Sequence, residues 1–149
     1  MFDRAGLLQM SQIVVLRKLQ AHRAQVELNA GFVEVEAAKA SQNEAQRALV
    51  SSLEAWTTHM NAPAPDPMVL GFYGNSLTQC DAEYTRAAEH LEDKNSHVSA
   101  LTQALQMRNG ELSGSQKRLA QLQKEQRRHL DEVALTQSED RISLNWSLG

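Results

Sequence analysis

A seven-residue rhythm runs through the second half of the chain. Steps of seven from Leu77 reach Tyr84, Leu91, Val98, Leu105, Leu112, Leu119, Gln126 and Val133. All but Gln126 are apolar or aromatic. One heptad position held this long predicts a coiled-coil helix. The companion position is mixed: Cys80, Ala87, Lys94, Leu101, Arg108, Ser115, Leu122 and His129. A seam strong at one position and polar at the other suits contact with a single partner helix. The first half carries a looser stripe: Val15, Leu19, Val26, Ala30, Val33, Ala37, Ala45, Ala48, Ser52 and Trp56. Its steps are mostly threes and fours, as a helix seam requires. The small residues between Ala37 and Ala48 let a facing helix approach closely.

One segment separates the two patterns. Asn61-Ala62-Pro63-Ala64-Pro65-Asp66-Pro67 contains all three prolines, and no helix runs through it. Gly71 and Gly74 follow, and then Ser76-Leu77-Thr78-Gln79 reads as a capping box with Ser76 as N-cap. The expected layout is a first helix over about 5–60, a Pro-rich turn over 61–75, a second helix over about 76–138 and a frayed tail over 139–149. Gly110 and Gly114 fall inside the second helix and cost it about 1 kcal/mol each relative to Ala. The heptad phase continues through Leu105, Leu112 and Leu119, so the helix is expected to be continuous. Each helix would extend roughly 80–90 Å at about 1.5 Å per residue. Joined by a short turn, the two would form an all-α, long antiparallel two-helix coiled-coil hairpin, a single coiled-coil domain over 1–149.

Composition supports this and narrows the chemistry. The chain has 149 residues, 42% hydrophobic but only 5% aromatic, with 19 Ala and 19 Leu. Such a chain suits helices and lacks the large side chains of a sandwich, barrel or Rossmann-type core. A single cysteine excludes a disulfide framework and any multi-Cys metal site. The net charge of −3 supplies no global positive field for nucleic acid or an anionic membrane. No apolar run approaches the roughly 20 residues of a membrane span, and Met1-Phe2-Asp3-Arg4 does not open a signal peptide. A cytoplasmic protein without direct membrane insertion is therefore expected. The charge is uneven: residues 81–93 hold five acids against Arg86, and residues 117–128 hold five bases against Glu125.

No constellation points to catalysis. The closest histidines, His90 and His97, are seven apart, too far along a helix to share one metal ion. Cys80 falls at a seam position and has no nucleophile signature around it. Neighbouring carboxylates such as Glu34/Glu36 and Asp131/Glu132 read as solvated faces, since a two-helix hairpin offers no pocket to perturb them. Gly110-Glu111-Leu112-Ser113-Gly114 is neither a nucleophile elbow nor a phosphate loop. The basic run lacks interleaved aromatics for bases to stack on, so nucleic acid is not an expected partner. Neither a cofactor nor an enzymatic activity is expected. Around the turn, Trp56, Met60, Met68, Val69, Leu70, Phe72 and Tyr73 gather more apolar surface than two helices can cover. They either fold back as a small cap or form a docking surface.

Val15-Leu16-Arg17, with Arg23-Ala24 after it, resembles the opening of the FliJ/YscO/HrpO (SctO-like) stalk proteins of flagellar and virulence type III secretion. Tyr73-Gly74-Asn75-Ser76-Leu77-Thr78-Gln79-Cys80 is similar to the family's segment opening its second long helix, an aromatic followed four residues later by leucine. The resemblance implies an antiparallel two-helix coiled coil whose terminal end enters the pore of the hexameric secretion ATPase. The turn end would contact the cytoplasmic domain of the export gate, and secretion chaperones are further partners. Tyr73 and Leu77 match the gate-binding aromatic and leucine; Cys80 and Tyr84 occupy the next positions but differ in type. With Trp56 and Phe72 beside them, Tyr73 and Leu77 are the expected gate contacts. Arg17, Lys18, Arg127 and Arg128 are the candidates for the ATPase contact, on charge and position. The Pro-rich turn departs from the family pattern. The expected protein is monomeric and peripheral to the secretion apparatus at the inner membrane. The alternative is a generic coiled-coil adaptor or self-associating scaffold without an ATPase partner.

Overall fold

The computed structural model describes residues 3–148. Among them the chain forms two helices and no strand: α1, Arg4–Met60, and α2, Pro67–Leu148. The helices pack against each other as the antiparallel all-α hairpin that the heptads predict. The chain divides into two compact units. One, here the turn unit, is Gln25–Ala104; the other, the terminal unit, joins Met1–Ala24 to Leu105–Gly149.

Both helix starts are fixed by an aspartate. Asp3 caps α1: its Oδ1 accepts from the Gly6 N–H at 2.9 Å and its carbonyl from the Leu7 N–H at 3.2 Å. Asp66 does the same for α2, accepting from the Met68 N–H at 3.0 Å on its side chain and from the Leu70 N–H at 2.9 Å on its carbonyl. Pro67 then occupies the first helical position, where a missing N–H costs nothing. The turn is therefore confined to 61–66, and α2 begins nine residues before the expected Ser76 start. Ser76 is not a cap; it lies within α2 with its Oγ 3.5 Å from that of Ser52. The Asp-Pro start outranks the Ser–Gln box because it comes first and leaves nothing to interrupt the helix after it. At the other end, α2 stays helical to Leu148 where fraying was expected from 139; Gly149 lies outside the described residues. Gly110 and Gly114 are helical, as the unbroken phase required.

The seam of α2 is the one read from the sequence as far as Gln126; Val133 and His129, which end the two heptad series, are exposed. Leu77, Tyr84, Leu91 and Val98 in the turn unit, and Leu105, Leu112, Leu119 and Gln126 in the terminal unit, are all half-buried, and Leu122 is buried. The α1 stripe is a correction. Val15, Leu19, Val26 and Val33 are between 52% and 70% exposed, and Ala30, Ala37 and Ala48 are exposed too. The buried positions are Val14 and Ala21 in the terminal unit and Leu28, Val35 and Ala38 in the turn unit. Only Ala45, Ser52 and Trp56 of the expected stripe lie on the inward face. Two apolar stripes run along α1, and the richer in valine is the one that faces solvent. The inward stripe is interrupted by Arg17, Gly31, Gln42 and His59, which lowers its hydrophobic signal. Gly31 has a packing reason: a Cβ there would lie 3.0 Å from Leu101 Cδ1 and 3.2 Å from Val98 Cγ2.

Candidate functional site

In the turn unit, the aromatic cluster divides into covered and open members. Trp56 is half-buried beside Gly74, where a Cβ would come within 3.1 Å of its ring. Tyr73 is half-buried, its ring centroid 5.5 Å from that of His59 and tilted by 48°. Phe72 meets the Tyr73 ring edge-on at 5.7 Å yet is 68% exposed. Met68, 85% exposed, and Met60, 49% exposed, extend the open surface. Leu77 is half-buried at its seam position. The cluster is thus only partly a cap: Trp56, Tyr73 and Leu77 are half-buried, while Phe72, Met68 and Met60 are exposed. The Nε2 of His59 is buried without a hydrogen-bond partner.

In the terminal unit, the four candidate cations have different situations. Arg17 occupies a seam position and donates to Glu111 Oε2 at 2.7 Å and to Gln20 Oε1 at 3.2 Å. Arg108 reaches the same Glu111 oxygen at 3.3 Å. Two guanidinium groups thus share one carboxylate across the seam, and Arg17 Nε is buried without a partner. Arg17 is tied into the hairpin, whereas Lys18, Arg127 and Arg128 are exposed. Glu111, which the sequence reading passed over, lies at helical spacing from Arg108, and that i,i+3 spacing was the available signal. A charge at a heptad position commonly fixes register at some cost in stability.

The turn unit has a comparable pair at its edge. Lys94 Nζ donates to Glu34 Oε2 at 3.0 Å. This hydrogen bond and the ammonium charge hold the Glu34 carboxyl below the usual carboxylate range, with His97 and His90 adding in the same direction. Cys80 is half-buried at the seam, as its heptad position suggests. Among the described residues, no group of three or more His, Cys, Asp or Glu is placed to hold a metal ion. Among them, too, no helix is long and apolar enough to cross a membrane. Comparison with protein-family models, curated proteins and solved structures finds no match.

Proposed function

We propose that this chain is the stalk of a type III secretion apparatus, coupling a hexameric secretion ATPase to the cytoplasmic domain of the export gate. The observation that carries the reading is the Tyr73–Leu77 pair at the turn end of α2, which matches the family's aromatic-and-leucine spacing. Phe72, exposed beside Tyr73, supplies open apolar surface at the same place. Lys18, Arg127 and Arg128 are exposed and available to the ATPase. Chemistry belongs to the ATPase. The stalk contributes asymmetry: an asymmetric helix pair in a symmetric ring favours one subunit state at a time, so turnover and stalk orientation become linked.

The test is an ATPase assay with the cognate hexamer. Wild-type chain raises turnover or promotes hexamer assembly, and the triple change Lys18→Glu, Arg127→Glu, Arg128→Glu removes the effect. Arg17 is left out because its loss would strand Glu111 beside Arg108 alone. Phe72→Ala with Tyr73→Ala keeps the stimulation and loses export-gate binding in a pull-down. A wild-type chain without effect on the hexamer sinks the proposal. A second reading, the self-associating coiled-coil scaffold, is favoured by one observation: the large apolar side chains exposed on α2 beyond Gln126.

A further inference from the structure

Every side chain of α2 from Arg127 to Leu148 is exposed. Seven of them are large and apolar: Leu130, Val133, Leu135, Ile142, Leu144, Trp146 and Leu148, between 40% and 83% exposed. The preceding part of the terminal unit is different. There Leu112, Leu119 and Gln126 are half-buried and Leu122 is buried, and Glu111 beside them pairs with Arg17 of α1. Steps of three and four continue that face past Gln126 to Leu130, Val133, Gln137, Arg141, Leu144 and Leu148. So the seam of α2 outlasts α1. Helices in proteins draw most of their stability from packing an amphipathic face, and this exposed stretch has no such packing within the chain.

We propose that this overhang is a homodimerisation element: the 127–148 segments of two copies pair antiparallel through the continued seam face. Three features select a second copy as occupant. The face continues an interface that is already an antiparallel two-helix contact, so the copy takes up the role that α1 leaves vacant. The face is also self-complementary about a two-fold axis near residue 139. Leu130 then meets Leu148 of the second copy, Leu144 meets Val133 and Ala134, and Gln137 meets Arg141, each contact made twice. The apolar pairs lie outside and the polar pair at the centre, where the Gln137 side-chain carbonyl can accept from the guanidinium. Finally, charge permits it: Arg127, Arg128 and Arg141 against Asp131, Glu132, Glu139 and Asp140 leave each segment at −1, so like charge does not keep two copies apart. The dimer departs from the monomer expected from the sequence. It needs only this chain, but it shares Arg127 and Arg128 with the proposed ATPase contact, so the paired overhang and the ATPase-bound one are alternative states of the same segment.

Sedimentation equilibrium of the full chain over a micromolar concentration series tests it, with amide hydrogen exchange as a second readout. The expected result is a reversible monomer–dimer equilibrium, with exchange in 127–148 slowing as concentration rises. Leu130→Asp with Leu144→Asp weakens association by about a hundredfold or more, because two apolar contacts become buried charges on each side. Leu135→Asp with Ile142→Asp changes the same segment on its opposite face and leaves association within about threefold of wild type. All four positions are exposed, so neither variant disturbs the seam with α1. A chain monomeric at every concentration overturns the proposal. So does a dimer indifferent to Leu130 and Leu144, or one that the two variant pairs weaken equally.

Discussion

The two faces of α1 in the turn unit carry similar side chains and have opposite fates. Val35 is 6% exposed and Val33, two residues earlier, is 70% exposed. Leu28 is buried on the inward face, and Val26 lies open on the outward one. Hydrophobicity does not separate them. What separates them is the complement on α2: Gly31 leaves room for Leu101 and Val98, and Glu34 at the edge receives Lys94. A seam is a property of two helices, and one helix read alone shows only where a seam could be.

The sharpest way to break this contrast is one charge on each face. Val35→Asp puts a carboxylate at a buried apolar position and should cost about 3 kcal/mol or more. Val33→Asp should stay within about 0.5 kcal/mol of wild type, since the position is already in water. Urea unfolding followed by circular dichroism measures both. Equal costs would mean that the outward stripe is covered and that the assignment of faces is wrong.

That contrast also shows how much was legible beforehand. The α2 seam was, because a single position repeats from Leu77 to Leu119 without a polar break. The end of α1 at Met60 was, because three prolines follow closely. The α1 seam was not, because Arg17, Gln42 and His59 interrupt the buried stripe while Val15, Val26 and Val33 decorate the open one. The start of α2 was misplaced because Pro67 reads as a breaker until Asp66 is seen capping it. At the candidate sites, Tyr73 was expected in the turn and Leu77 at the very start of the second helix, whereas both lie inside α2, and a partner for Arg17 could not be named. Glu111 is distant in sequence, and cross-helix pairing depends on a register that α1 read alone leaves open.

Glycines sharpen the comparison at a smaller scale. Gly31 and Gly110 are both helical, but a Cβ at Gly31 meets Leu101 whereas one at Gly110 meets nothing within 4 Å. Gly110→Ala should therefore gain close to the full helix-propensity difference, about 0.5–1 kcal/mol. Gly31→Leu should lose about 2 kcal/mol through overpacking despite the better propensity. Thermal melts of the two variants should move in opposite directions. A rise for Gly31→Leu would show that the seam has slack at this point, and that Gly31 is not there for close approach.

The smallest effect expected concerns the edge that Glu34 and Lys94 form beside the inward face. Lys94 and, behind it, His97 and His90 lower the Glu34 pKa in the folded state. A carboxylate lowered on folding stabilises the folded state at pH values above its unfolded pKa. The contribution disappears as pH falls through the folded value, because the unfolded chain takes up the proton more readily. The relevant window lies at and below the ordinary carboxylate range. The pair is solvent-exposed and screened, so the change should be slight and weaken further in high salt. Glu34→Gln removes the titrating group while keeping the shape of the side chain. Wild type should be marginally the more stable at neutral pH, and the difference should shrink on acidification. If the two curves of stability against pH run parallel down to strong acid, the contact contributes nothing on folding. The inward face would then be held by apolar packing alone, without an electrostatic edge.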